Sequence, residues 1–411
     1  INAVACIMLA MYQAVAEKSG YPADKISATP QNDILKEMIG RGAWIFPVDP
    51  AVRLVGDAIE YAVRALPRCN PVSICGYHIR ESGATPAQEI AYAFEIAKTY
   101  IAEVQGRGLQ PDEFVGSFSF NLNVYGNLWE QIAKFRAARK LWARMLKEEF
   151  GVAQKKTLFL RGLFGGGGSG LTKAQPENNI MRSAFYALAA ALSGAQTTAL
   201  CSFDEAYTIP TPRAALLSLR TLELLMDEVG LRDTVDPLAG SYFIETLTKQ
   251  MEDRILAEMA DVQKIGGMRR AVALGHIQRK VSRQAYEFER GIQNGDYIKV
   301  GVNKYTEDVE DQPDVELHAY DESWAVQQVD GLRELRRVRD NRAVTRTLND
   351  LEQGVRSGRK YEEDTRCLEE RWGQYVGLRG KPKLSQLSGA TSAVERVSIC
   401  VSRRSKMAFH G

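Results

Sequence analysis

From its first residues the chain carries a helical rhythm, with Val4, Ile7, Met8, Met11, Ala14 and Val15 recurring at the spacing of one helix face. From there to about residue 245, short apolar runs alternate with longer amphipathic segments. The runs are WIFPV (44–48), PVSIC (71–75), FVGSFSF (114–120), TLFL (157–160), TTALCSF (197–203) and SYFIE (241–245). Each run has strand length, and the spacers have helix length. The pattern predicts repeated βα units and a parallel sheet, open or closed into a barrel. The most regular spacer, 128–150, carries Trp129, Ile132, Phe135, Leu141, Trp142, Met145 and Leu146 as its apolar positions. Arg136, Arg139, Lys140 and Lys147 are among its basic ones, which suits a barrel-covering helix with a solvated basic face.

Further along, residues 249–295 read as more helices, broken at Gly266-Gly267 and near Gly291 and Gly295. VGVNKY (300–305) leads into a polar stretch, including 313–316, that reads as a linker or extended arm. The expected units are a partial barrel over 1–248, a helical region with a linker arm over 249–360, and an unassigned tail over 361–411.

Composition narrows the class. A chain of 411 residues, 45% hydrophobic and 25% charged, has the length and make-up of a globular protein as large as an α/β barrel with attachments. With 53 basic against 51 acidic residues the formal charge is +2, so no global field favours nucleic acid or an anionic membrane. No run of about 18 apolar residues occurs, and the first 16 residues lack a basic leader, so a cytoplasmic, non-membrane chain is expected. Six scattered cysteines without CxxC spacing and four histidines argue against a zinc site or a disulfide framework. The start at Ile1, already inside a helical pattern, is expected to be that of a piece of a longer polypeptide.

Four segments carry candidate chemistry. In TPQNDILKE (29–37) Pro30 keeps Thr29 out of the α region, and Asn32 or Asp33 can cap the following helix, so Thr29 and Gln31 lie on a loop at a helix start. Arg41, at the far end of that helix, suits a bidentate carboxylate clamp or a surface ion pair. In CGYHIRESGA (75–84) a strand ends at Gly76 and presents Tyr77, His78 and Glu81, where a barrel places its active site. His78 is either an acid, base or carbonyl donor, or a structural histidine. The run Gly165-Gly166-Gly167-Gly168 lacks the Lys of a nucleotide loop, since Leu171 stands in its place. It is either a bare backbone for close approach by a large flat ligand or a flexible turn. Glu205, just past the apolar run that ends at 203, is a candidate acceptor for ligand hydroxyls or a helix-capping acid.

QNDILKE (31–37), NPVSICGYHIRESGAT (70–85), AKFRAARKLWARM (133–145), QPENN (175–179), SFDEA (202–206), DTVDPLAGSY (233–242) and VGVNKY (300–305) stand in the order found in coenzyme-B12-dependent acyl-CoA mutases. The chain resembles the catalytic chain of the methylmalonyl-CoA mutase family. That resemblance implies an α/β fold, a TIM-type (β/α)8 barrel that is partial in this chain and is followed by a helical region. It also implies an enclosed acyl-CoA thioester with a corrin against one end. The implied activity is that of an isomerase, in which adenosylcobalamin supplies the radical chemistry and the thioester carbonyl group of a carboxy-acyl-CoA, of methylmalonyl-CoA/succinyl-CoA type, migrates. A mutase for isobutyryl- or 2-hydroxyisobutyryl-CoA, or a non-catalytic CoA- or corrinoid-binding scaffold, stands as the alternative.

Carried over residue by residue, the resemblance makes His78 the donor to the thioester carbonyl, Gln31 and Thr29 the positioners of the acyl group, and Arg41 the partner of a free carboxylate. Arg68, Ser119 and Thr197 match CoA contacts, and Tyr77, Glu81, Gly168 and Glu205 match positions near the cobalamin or its adenosyl group. The sequence departs from the family at Ser117-Phe118-Ser119, at 163–168, at Ala199-Leu200-Cys201 and at Trp44, which points to a divergent subfamily. The family's first barrel strands and its DxHxxG cobalt-ligating signature are not found. The resemblance therefore implies a small cobalamin-binding subunit or domain as partner in a hetero-oligomer, with no metal ligand from this chain.

Overall fold

A computed structural model describes residues 1–306 and 315–357; the expected tail and part of the polar arm lie outside the described residues. Among the described residues six short strands, all parallel, form the centre: β1 (Ser27–Ala28), β2 (Arg68–Cys69), β3 (Ser73–Cys75), β4 (Ser119–Val124), β5 (Gly162–Gly166) and β6 (Thr197–Ala199). The first two pair with each other, and the other four lie in chain order β3-β4-β5-β6. Beyond β1 and β2 the pairing continues, since Asn70 N donates to Ala28 O at 2.8 Å and Ser73 N to Gln31 O at 2.9 Å. The sheet order thus follows the chain order, with a helix in each long connection, as in a barrel built from successive βα units. The fold is the expected α/β class and is consistent with a partial (β/α) barrel.

Alternation along the strands separates two faces. Val72, Ile74, Phe120, Leu122, Val124 and Phe164 are buried in the main core. Phe120 meets Trp142 edge to face at 4.9 Å, and Phe164 stacks on Phe135 at 4.0 Å, so the helix Leu128–Phe150 is clamped by aromatic contacts. The alternate positions are in register and, Leu163 apart, small or polar: Ser73 beside Ser119, Cys75 beside Asn121 and Leu163, Asn123 beside Gly165 and Ala199. A parallel sheet covered by helices on both faces reads as continuous apolar runs; this one is apolar on one face and mostly small or polar on the other, which marks that other face as a lumen wall.

Local signals account for the helix boundaries. Thr85 and Gln88 form a reciprocal capping box at the start of Pro86–Gln105, and Asn127 caps Leu128–Phe150, which Gly151 closes at φ +65°. Helices Tyr242–Ile265, Met268–Ala273 and His276–Asn294 follow as expected, with the break at Gly266-Gly267, but Gly291 lies inside the last of them.

Three expected strands are corrected. WIFPV forms no strand: Trp44 and Ile45 are exposed, and Pro47 precedes the helix Val48–Ala65. SYFIE is a helix start, with Ser241 as its cap. TLFL forms no strand: its first two residues end a 3-10 turn, Lys155–Leu158, and the strand lies just beyond it, in the glycine run. Two helices, Ser323–Val338 and Asn341–Arg356, extend past the arm. Among the described residues no helix is long and apolar enough to cross a membrane.

Candidate active site

The site is built where β1 and β3 end. Asn32 takes a left-handed conformation (φ +49°) and hands the chain to Asp33, which caps the next turn by accepting from Lys36 N at 3.3 Å. Asp33 is fully buried and also accepts from Tyr100 OH and from Cys75 N, each at 2.7 Å. The capping reading of this loop is therefore borne out, and the same carboxylate ties β3 to the loop. Burial pushes its pKa up, and the Lys36 charge opposes that shift.

After one α turn, Ile34–Lys36, the chain widens into a π-helical turn, Glu37–Arg41, closed by Gly42 in the left-handed region. A Cβ on Gly40 would lie 2.9 Å from the carbonyl carbon and oxygen of His78, so only glycine lets this turn sit against the helix Gly76–Glu81. Ser82 Oγ locks the contact by donating to Gly40 O at 2.6 Å.

Lys36 is fully buried there, and its ammonium reaches Gln31 Oε1, Glu37 Oε1 and, at 3.0 Å, His78 Nδ1. Asn2 Nδ2 donates to the same oxygens of Gln31 (3.1 Å) and Glu37 (2.8 Å). The His78 ring is half-buried; burial first, then the charges of Lys36 and Arg41, lowers its pKa to about 4. It is a neutral imidazole at physiological pH, a hydrogen-bond donor rather than a proton reservoir.

The same short helix serves a second cluster. The Tyr77 and His78 rings meet edge to face at 5.6 Å, and the Tyr77 hydroxyl lies 3.3 Å from Gly166 O and 3.7 Å from Cys201 Sγ. Glu81 accepts from Asn123 Nδ2, from Ser169 N at 2.8 Å and from Ser169 Oγ at 3.0 Å. Across Gly168 from Glu81 stands Glu205, exposed yet partly desolvated. Its carboxyl is pushed up by burial and by the charges of Asp204 and Glu81. A Cβ on Gly168 would lie 3.5 Å from Glu205 Oε1 and 3.6 Å from Glu81 Oε2. Two carboxylates flanking a ledge with no side chain suit the paired hydroxyls of a sugar.

Gly167 has the opposite surroundings. A Cβ there would fall 2.5 Å from Asn123 Oδ1, 2.6 Å from Tyr125 Cδ1 and 2.7 Å from Glu81 Oε1. Gly167→Ala is expected to cost about 1–3 kcal/mol as an overpacked site, measured by urea unfolding. Gly168→Ala, with only ordinary contacts, should cost far less. Equal midpoints for the two variants would remove the close-packing account.

Comparison with known proteins settles the ancestry. The pattern of the methylmalonyl-CoA mutase family matches residues 1–371. The chain belongs to that family. It is 39% identical over 351 residues to the 2-hydroxyisobutanoyl-CoA mutase large subunit of Aquincola tertiaricarbonis, a match covering 85% of this chain and 62% of that one. It is 36% identical to the methylmalonyl-CoA mutase of Rhizobium meliloti (87% and 50% covered) and 35% identical to the mitochondrial enzyme of Homo sapiens (87% and 48%). The chain thus spans about half to three-fifths of the length of these relatives.

Within this methylmalonyl-CoA mutase family chain, most of the expected residues fall into two groups. Gln31, Tyr77, His78, Glu81, Gly168 and Glu205 gather at the C-terminal ends of the strands. Arg41 stands beside them with its side chain 57% exposed and 3.9 Å from Glu37, so the penalty for burying an unpaired guanidinium does not apply to it. Arg68, Ser119 and Thr197 begin β2, β4 and β6, at the other end of the sheet. Six residues of β4 at roughly 3.3 Å each put the two ends about 17 Å apart. Thr29 is exposed and accepts from Asn70 Nδ2 at 3.3 Å, away from the histidine cluster. Lys36, Asn123 and Ser169 were not expected. The signal for Lys36 was its place among Ile34, Leu35, Met38 and Ile39, where a helix turns its buried side.

Proposed function

We propose that this chain is the acyl-CoA-binding part of an adenosylcobalamin-dependent mutase that rearranges the carbon skeleton of a small branched acyl-CoA. The observation that supports it best is the convergence, at one end of a half-polar lumen, of a neutral histidine, a fixed glutamine and a pair of carboxylates flanking a glycine ledge. His78 donates to the thioester carbonyl oxygen and Gln31 orients the acyl group, holding the migrating carbon in a near-attack geometry. Glu81 and Glu205 would accept from the ribose hydroxyls of the adenosyl group, and Tyr77 would pack between the two halves. When bound, the cofactor supplies the radical chemistry, and the protein supplies orientation and exclusion of water. Ser119, Arg68 and Thr197 hold the CoA part at the far end of the lumen, a distance suited to a rod-shaped ligand.

The partner is a small cobalamin-binding subunit or domain that brings the cobalt ligand, in a hetero-oligomer; the large-subunit name of the Aquincola relative accords with this. Arg41 pairs with a carboxylate on the acyl group, as in methylmalonyl-CoA. The 39% identity to a 2-hydroxyisobutanoyl-CoA mutase supports a hydroxylated substrate as the second reading.

The test is to load the full chain with a family cobalamin subunit and adenosylcobalamin, present methylmalonyl-, isobutyryl- and 2-hydroxyisobutyryl-CoA, and follow isomer formation. Methylmalonyl-CoA turnover whose KM rises about 10- to 100-fold in Arg41→Gln, the range of a charge-assisted hydrogen bond, supports the clamp. Turnover of the hydroxylated thioester alone selects the second reading. Binding without isomerisation of any thioester returns the non-catalytic scaffold.

A further inference from the structure

One buried charge near the site has no part in the chemistry above. Lys36 is wholly enclosed, and burying an ammonium costs several kcal/mol unless all of its protons are used. Glu37 alone would balance the charge. The other two contacts, to Gln31 Oε1 and His78 Nδ1, go to side chains that face the proposed substrate.

We infer that Lys36 is a positioning residue that sets the tautomer of His78 and the amide orientation of Gln31. An ammonium has donors only, so His78 Nδ1 accepts and the single ring proton resides on Nε2. By the same logic Gln31 presents Oε1 to Lys36 and Asn2, and its amide N–H groups turn the other way. Among the described residues neither His78 Nε2 nor Gln31 Nε2 has a hydrogen-bond partner. Two N–H donors are therefore held ready for an oxygen acceptor, as the proposed acyl-CoA mutase requires; the inference rests on that reading for its purpose, not for its geometry. The charged and titratable groups facing His78 are Lys36 at the end of the α turn, Glu37 and Arg41 on the π turn, Cys75 Sγ at 3.5 Å, the Tyr77 ring, and the amino group of Ile1.

The experiment is nitrogen NMR of the imidazoles in the full chain, with His78→Gln assigning the signal among the four histidines. The expected spectrum shows His78 neutral across the neutral range, protonated on Nε2. Lys36→Met combined with Glu37→Gln, which leaves no unpaired carboxylate, should yield a tautomer mixture and a pKa that climbs toward the ordinary histidine value. Lys36→Arg should restore the Nε2–H form. A wild-type proton on Nδ1, an imidazolium at neutral pH, or a double variant with unchanged tautomer and pKa would overturn the inference. Because the readout is not activity, the two ideas fail separately. A loaded complex that turns over no thioester while His78 shows the Lys36-dependent state sinks only the function.

Discussion

Lys134→Met is expected to remove about 3–5 kcal/mol of folding stability, the scale of an uncompensated buried charge. Lys134 and Glu89 are both fully enclosed, with Nζ 2.8 Å from Glu89 Oε2. The remaining groups are also used: Glu89 Oε1 accepts from Asn123 N at 2.6 Å, and Lys134 donates to Asn123 O. One ion pair thereby satisfies both main-chain groups of a single residue near the end of β4, the residue whose side chain holds Glu81. Burial lowers the Lys134 pKa, and Glu89 opposes that shift. Removing the lysine leaves a carboxylate and a carbonyl unmet in the core; removing both charges, in Lys134→Met with Glu89→Gln, should recover a large part of the loss. Urea unfolding of the full chain at neutral pH measures both. A single-variant cost below about 1 kcal/mol would mean that water or relaxation replaces the pair.

The largest expected effect on turnover is at His78. In the proposed mutase, His78→Ala should lower kcat by about 100- to 1000-fold, as loss of one preorganised donor to a developing oxygen charge does. KM should change little, because the carbonyl interaction strengthens on the way to the transition state. His78→Gln keeps a donor and should fall between. Since the imidazole takes up a second proton only near pH 4, the wild-type profile should show no inflection from His78 near its ordinary value. A His78→Ala enzyme within threefold of wild type would exclude the carbonyl-donor role.

How far the sequence disclosed this arrangement depended on the kind of signal. The helix Leu128–Phe150 was legible to the residue, because 23 amphipathic positions end between a capping Asn127 and Gly151. The strand β5 was displaced because glycine has no side chain to show alternation. Its burial is supplied by neighbours, among them Tyr77 against Gly165 and Leu200 against Gly166. SYFIE misled because an apolar run begins a helix as readily as a strand, and the decisive cue was the hydroxyl of Ser241. The end of β3 and its histidine were legible from the strand-to-glycine transition. Lys36 was not, since lysine is ordinarily a solvent-facing residue, and only the structure reveals three acceptors converging on one ammonium.

The adjacency of Tyr77 and His78 within Gly76–Glu81 has a mechanical consequence. Consecutive residues on one turn serve two different half-sites, so the turn acts as a rigid axle between them. With side-chain tips about 6 Å from the helix axis, a twist of roughly 10° would swing each ring by about 1 Å. Displacements of that size can cost about 100-fold in rate. In the proposed mutase, a perturbation arriving on the glutamate side would therefore be felt at once on the histidine side, so that misalignment at one half-site would slow the chemistry at the other.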